Sequence, residues 1–343
     1  MRKVCVVITS RPSYSRIASA LVALRVRGAE LQIVAAASAV MTRFGRIVDQ
    51  IRADGFDVTA EISSVVEDDS LANSALSTGL LLTQLAGLFQ RLRPDVVVTI
   101  ADRHETLATA IAASYQNIPL CHIQGGEVTG SIDDRVRDAV TQLADLHCVA
   151  TERAAARVTA MRPGARVEVV GCPSIDLANQ ALRLGPIAGA DVIVLQHPVT
   201  NEVNRAAEQM RSTIEAVGVE ALYLWPGEGA GSSAMSKELR LAGVSPVRNL
   251  PPLDFVRTLL GAKVLVGNSS VGIRECSFLG APVVNIGSRQ RGRERGPNVM
   301  DVPHDAAAIV AAIARQKQRR RYQVNTLYGD GYAGARIAGI LAS

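Results

Sequence analysis

Two doubly wound α/β domains facing across a cleft are what this 343-residue sequence predicts. Three observations carry that expectation. Short runs rich in Val and Ile alternate with longer amphipathic stretches from end to end, the mark of parallel sheets covered on both faces. About twelve such runs occur, too many for one comfortable open sheet. The pattern also breaks at Gly171-Cys172-Pro173, where a strand ends in a Gly and Pro linker before the alternation restarts. Residues 1–171 and 172–330 are therefore the expected domains. A helix at 334–341, in a tail of residues 331–343, has room to cross back onto the first. An eight-stranded barrel is the runner-up, and the strand count and central break argue against it.

Taken in order, the strand candidates are residues 3–8, 31–35, 96–100, 119–123, 146–150 and 166–170, each a β-branched run closed by small or polar residues. The second half adds 191–195, 221–224, 247–250, 264–266, 283–286 and 299–302. Helical periodicity fills the gaps at 15–26, 71–92, 105–115 and 206–217. Hydrophobic residues make up 48% and aromatics only 3%, so the cores must be built from Ala, Val, Leu and Ile. No window approaches the roughly 18 apolar residues of a membrane span, and Met1-Arg-Lys opens a strand without a cleavable leader, so a cytoplasmic protein is expected. The five cysteines and five histidines are scattered singly, without disulfide or metal-ligand spacing; no metal and no cofactor are expected.

Chemistry-bearing residues collect where strands end, the place where α/β proteins build sites. In the first half these are Arg11 and Ser15 after the first strand, Asp102-Arg103-His104-Glu105 after the run at 96–100, and the stretch 121–137. That stretch holds Gln124, a Gly-Gly turn, Glu127, Asp133, Asp134 and Arg137. The Asp-Arg-x-Glu also reads as a plain helix cap with a neighbouring salt bridge. In the second half His197 follows a strand, as a proton carrier or phosphate contact, or else as a buried structural histidine. Gly267-Asn268-Ser269-Ser270 opens a helix running to about Leu279, where free N–H groups and two hydroxyls form an anion socket. Glu275 on that helix could accept both ribose hydroxyls. Arg289, Arg291, Arg293 and Arg295 sit in a Gly-rich loop, suited to bidentate diphosphate binding or to plain solvation. The basic run at 315–321 ends a helix and reads as a solvated helix end; with no interleaved aromatics, nucleic-acid binding is not expected.

The ordered set Ser-Arg-Pro, Asp102-Arg-His-Glu105, His122-Ile-x-Gly-Gly-Glu127 with Ile132-Asp-Asp134, Gly171-Cys-Pro-Ser174, His197-Pro-Val-Thr200 and Gly267-Asn-Ser-Ser270-x-Gly-x-Arg-Glu275 resembles the hydrolysing UDP-N-acetylglucosamine 2-epimerases of sialic acid biosynthesis across nearly the whole chain. The resemblance implies the glycosyltransferase-B architecture of two Rossmann-like domains, a homodimer, and conversion of UDP-GlcNAc and water to N-acetylmannosamine and UDP through a glycal. It further implies that Asp102, position 124 and Asp133 do acid–base work, with Glu127 beside them. His197, Arg11, Ser269 and Ser270 would hold the diphosphate, with Arg289 or Arg293 as a further contact. Glu275 would hold the ribose, and Leu250 with Phe255 would border uracil. Arg103, Asp134 and Arg137 would support the sugar side, and Ser15 is a further substrate-binding candidate.

Four positions depart from the pattern. Gln124 stands where well-studied members carry glutamate, and an amide cannot exchange a proton at neutral pH. Asp138 replaces a histidine, and Gly227 and Gly229 stand where Asn and Asp are usual. The leading expectation is a hydrolysing 2-epimerase acting on UDP-GlcNAc or a relative such as a diacetamido-trideoxy sugar. The alternatives are a related enzyme that stops at elimination or hydrolysis, and a nucleotide-sugar-binding protein without turnover.

Overall fold

The computed structural model describes residues 1–66, 70–130, 132–227, 229–248, 250–319 and 321–343. The chain divides into two units: Met1–Glu127, Asp133–Asp176 and Gly329–Ser343 form the first, Val128–Ile132 and Leu177–Tyr328 the second. The main passage between them thus falls after Asp176, inside the helix Pro173–Leu184, and not at the expected Gly171.

In the first unit seven parallel strands, β1 (Lys3–Ile8), β2 (Glu30–Ala36), β3 (Val58–Ile62), β4 (Val96–Ile100), β5 (Leu120–Ile123), β6 (Leu146–Val149) and β7 (Arg166–Val169), run in the order β3-β2-β1-β4-β5-β6-β7. The chain builds outward from β1 in one direction and then, at β4, in the other, so the loops after β1 and β4 flank a switch point. One face buries Val4, Val6, Ile8, Leu21 and Leu24, and the other Cys5, Val7, Leu81, Leu85 and Phe89. The last helix, Ala333–Ala342, belongs to the first of these cores through Ile337, Ala338 and Leu341, and the Asp176 carboxylate caps it by accepting from the Ala333 and Gly334 amides at 2.9 and 2.7 Å.

The second unit holds five parallel strands, β8 (Val192–Leu195), β9 (Leu222–Tyr223), β10 (Val264–Gly267), β11 (Val283–Ile286) and β12 (Val299–Val302), in the order β12-β11-β10-β8-β9. Its switch point lies between β8 and β10. Every strand of the inner group β8, β10 and β11 is buried along its length, as parallel strands covered on both faces require.

One strand went unread and one strand expectation fails. Val58–Ile62 went unread because it is an edge strand whose residues alternate between exposed and partly buried, without a Val/Ile run. The run at 247–250 contributes only an isolated bridge, Leu224 to Val247, and two prolines follow directly; Asn249 lies outside the described residues. The helix expected at 15–26 is two, Arg11–Ser15 and Ala18–Val26. Among the described residues no helix is long and apolar enough to cross a membrane.

His122 and His147 face each other across β5 and β6, with ring centroids 6.3 Å apart and both side chains buried. Burial pushes His122 down to about 3 and His147 to about 4. Both rings are therefore neutral in the folded protein, whereas in the unfolded chain each takes up a proton near pH 6.5. The unfolded state then binds more protons below that pH, so stability is full above about pH 6.5 and declines as pH falls toward about 4. Thermal unfolding followed across this range should show the midpoint falling steadily; a replacement of His147 by an apolar residue of similar size should flatten that fall.

Candidate active site

Two clusters of functional side chains form, one at each switch point. In the first unit, β4 and β5 end side by side, Ile100 paired with Ile123. The next residue of each, Ala101 at φ 70° and Gln124 at φ 66°, lies in the left-handed region that side chains other than glycine rarely adopt. Both strands thus turn sharply at one level, and each turn delivers a polar side chain. After Ala101 comes Asp102, almost buried; after Gln124 the Gly125-Gly126 turn leads to Glu127. A side chain at Gly126 would place its Cβ 2.3 Å from the Ala154 carbonyl oxygen, so the turn can pack there only as glycine.

Arg137, on the helix Ile132–Leu143, closes this cluster from below. It is fully buried, and its guanidinium donates to Asp102 Oδ2, to the Glu127 carbonyl and, at 2.6 Å, to Asp134 Oδ1. Burial opposes the charge, but Asp102 and Glu127 outweigh it and raise the guanidinium above its usual range. The arginine expected on the sugar side is therefore an internal anchor: it aims Asp102, Asp134 and the Glu127 turn without exposing any surface of its own. Asp133, its neighbour on the first turn, stays partly exposed. Arg157 adds a second guanidinium, donating to the Glu127 carbonyl at 3.3 Å and to Asp138 at 2.8 Å. Thus Asp138, one of the departures from the resemblance, serves as an ion-pair partner.

Gln124 is 1% exposed; its amide donates to Cys172 Sγ, which lies 2.9 Å from Ser174 Oγ, while Oε1 is a buried acceptor without a partner among the described residues. Arg103 makes an ion pair within its own motif. Its guanidinium donates to the fully buried Glu105 at 2.8 Å, the salt bridge that the Asp-Arg-x-Glu motif also allowed. Burial would raise Glu105, but Arg103 and His104 override it and hold the carboxyl down at about 2. Arg11 begins the short helix after β1, capped by Ser10, and burial lowers its guanidinium. Ser15 ends that helix, its hydroxyl donating to the Pro12 carbonyl at 3.0 Å.

In the second unit, His197 follows β8 and Gly267-Asn268 ends β10. Gly267 lies so close to β8 that a Cβ there would meet the Leu195 carbonyl oxygen at 2.1 Å. The Ser269 hydroxyl caps the turn by accepting from the Val271 amide, and Ser270 opens it. The helix expected to run to Leu279 is instead broken at Arg274 into Ser270–Ile273 and Glu275–Leu279. Glu275, at 9% exposure, keeps Oε2 without a partner among the described residues, which suits a hydroxyl donor such as a ribose. Arg289 donates to the Asn268 carbonyl at 3.2 Å and Arg293 is buried. Arg295 is spent internally on Asp301 and on the carbonyls of Gln290 and Arg291, so the arginine loop is not a four-membered clamp. Leu250 and Phe255 are half-buried, Phe255 in the first turn of the helix Pro252–Gly261. Cys172, Arg157 and Asn268 carry contacts that residue type alone did not single out; for Asn268 the available signal was its place right after a strand-ending glycine.

Comparison with known proteins bears on the family and the fold. A family model described as UDP-N-acetylglucosamine 2-epimerase matches residues 23–342. A UDP-N,N'-diacetylbacillosamine 2-epimerase (hydrolyzing) of Legionella pneumophila is 31% identical over 319 residues, covering 87% of this chain and 84% of that one. A UDP-N-acetylglucosamine 2-epimerase of Neisseria meningitidis is 26% identical, covering 88% and 84%. Among solved structures, the UDP-GlcNAc 2-epimerase of Methanocaldococcus jannaschii in complex with UDP-GlcNAc and UDP superposes with a TM-score of 0.80 at 17% identity, covering 99% of both chains; it is similar in fold.

Removing the Arg137 charge takes a fully buried cation away from Asp102, Asp134 and the Glu127 carbonyl. Arg137→Met should therefore lower the unfolding free energy by about 3–5 kcal/mol, measured by urea denaturation. A change within experimental error would mean the guanidinium is not the anchor of these loops.

Proposed function

Because this chain belongs to the UDP-N-acetylglucosamine 2-epimerase family, we propose that it is a hydrolysing nucleotide-sugar 2-epimerase. Its substrate on this reading is UDP-GlcNAc or a related UDP-2-acetamido sugar, and its products are UDP and the sugar epimerised at C2. The observation that carries the reading is the convergence of Asp102 and Asp134 on one buried guanidinium, with Asp133 on the same helical turn.

The C2 hydrogen lies beside an amide nitrogen and is barely acidic, so departure of the diphosphate leads. The C1–O bond breaks, its electron pair leaves with UDP, and cationic character develops at C1. A carboxylate then takes the C2 proton to give the glycal. Water adds its hydroxyl to C1 while a proton returns to C2 from the opposite face. Such steps need a base, an acid and a cationic hold on the leaving group. Asp102 and Asp133 serve the proton steps, with Glu127 beside them, since Gln124 can only hydrogen-bond. In the second unit His197, Ser269, Ser270 and Arg289 or Arg293 take the diphosphate; Arg11 keeps the phosphate-binding role that the resemblance gives it. Glu275 takes the ribose, and Leu250 and Phe255 border the uracil. Arg137 holds the Asp102 carboxylate in place through a charge-assisted hydrogen bond.

Incubation with UDP-GlcNAc in heavy water, followed by NMR, tests this. Deuterium at C2 of released N-acetylmannosamine is the expected result, with Asp102→Asn lowering kcat by roughly 10²–10⁴-fold. Release of UDP without epimerisation would point to an enzyme that stops at elimination or hydrolysis, and binding without turnover to a nucleotide-sugar-binding protein. The same assay with a UDP-diacetamido sugar identifies the preferred sugar.

A further inference from the structure

His197 is held more tightly, and in a more defined chemical form, than a phosphate contact requires. The Asn268 side chain, 0% exposed, grips its backbone from both sides. Asn268 Oδ1 accepts from the His197 amide at 2.8 Å, and Nδ2 donates to the His197 carbonyl at 2.8 Å. The Asn268 carbonyl in turn accepts from Arg289 and from Gln290, so one residue ties together the loops that follow β8, β10 and β11. The imidazole is fixed separately. The backbone amide of Gly227 donates to His197 Nδ1 at 2.8 Å. A backbone N–H can only donate, so Nδ1 must be the accepting, unprotonated nitrogen, and the ring proton sits on Nε2.

This bond also accounts for one of the departures noted in the sequence. A Cβ at position 227 would lie 2.8 Å from His197 Nδ1 and 3.2 Å from Cε1, closer than such atoms approach. Only glycine lets the main chain come near enough for its amide to reach the ring. The asparagine usual at this position could not occupy the same place without pushing the imidazole or the loop away.

We infer that Gly227 and Asn268 are positioning residues that lock His197 as an Nε2–H hydrogen-bond donor. In that tautomer the Nδ1 lone pair is engaged by the amide and Nε2 already carries its proton. The ring therefore has no lone pair for general-base work and acts as a neutral donor to an anionic oxygen. Of the two chemical roles open to His197 beside a purely structural one, this selects the phosphate contact over the proton carrier. The anionic oxygen as a diphosphate rests on the function proposed above; the tautomer itself does not.

The experiment uses the full chain labelled with ¹⁵N-histidine. There are five histidines, and the His197 signals are assigned by their loss in His197→Asn. The expected spectrum of the free protein shows Nδ1 unprotonated and Nε2 protonated, and UDP shifts the Nε2 signal without changing the tautomer. Gly227→Ala should move the Nδ1 signal and weaken UDP binding about tenfold, the loss of roughly one hydrogen bond's orientation. Asn268→Asp keeps the acceptor to the His197 amide but loses the donor to its carbonyl, and should weaken UDP binding while leaving the Nδ1 signal in the unprotonated range. A ring protonated on Nδ1, or a folded Gly227→Ala protein with unchanged ring signals, overturns the lock. The expected tautomer with no response of His197 to UDP upholds the lock and overturns the diphosphate reading instead.

Discussion

The buried guanidinium of Arg137 is the constraint on which the first unit's site depends. A charge that far from water must be fully matched, and here it is matched by three chain segments at once. Asp102 comes from the end of β4, the Glu127 carbonyl from the turn after β5, and Asp134 from the helix that carries Arg137 itself. None of these can wander without leaving the arginine short of a partner. The cost of burying one charge is thereby converted into a fixed geometry for the carboxylates, and the strained backbone at Ala101 and Gln124 persists because the same contacts hold it.

The second unit is ordered by contacts of another kind. Its switch point is drawn together by glycine and amide contacts: Gly267 brings β10 against β8, and Asn268 stitches His197 to the loop after β11. The contrast fits the chemistry assigned to each. Carboxylates that exchange protons need a charge to set their ionisation, whereas an anion socket needs donors that point one way and stay there.

Departures from the family pattern are easier to understand in this light. Gly227 and Asp138 each have a local partner, His197 and Arg157. Gln124 differs, because its amide is tied to Cys172 on one side and leaves its oxygen unmatched on the other. A buried acceptor of that kind costs stability unless a donor reaches it.

Period and strand-end chemistry made most of the architecture legible. Eleven of the twelve expected strand runs are strands, and the inner ones are buried along their length, as parallel strands covered on both faces require. The edge strand Val58–Ile62 lacked that signature, and the 247–250 run had the residues without the neighbours. By itself the sequence determined the two-sheet α/β class and the strand ends at which functional residues gather, since both follow from local patterns of residue type. Tertiary structure alone decided what those residues do to one another. It made Arg137 an internal anchor and set which nitrogen of His197 accepts, because each outcome depends on partners tens of residues away in the chain.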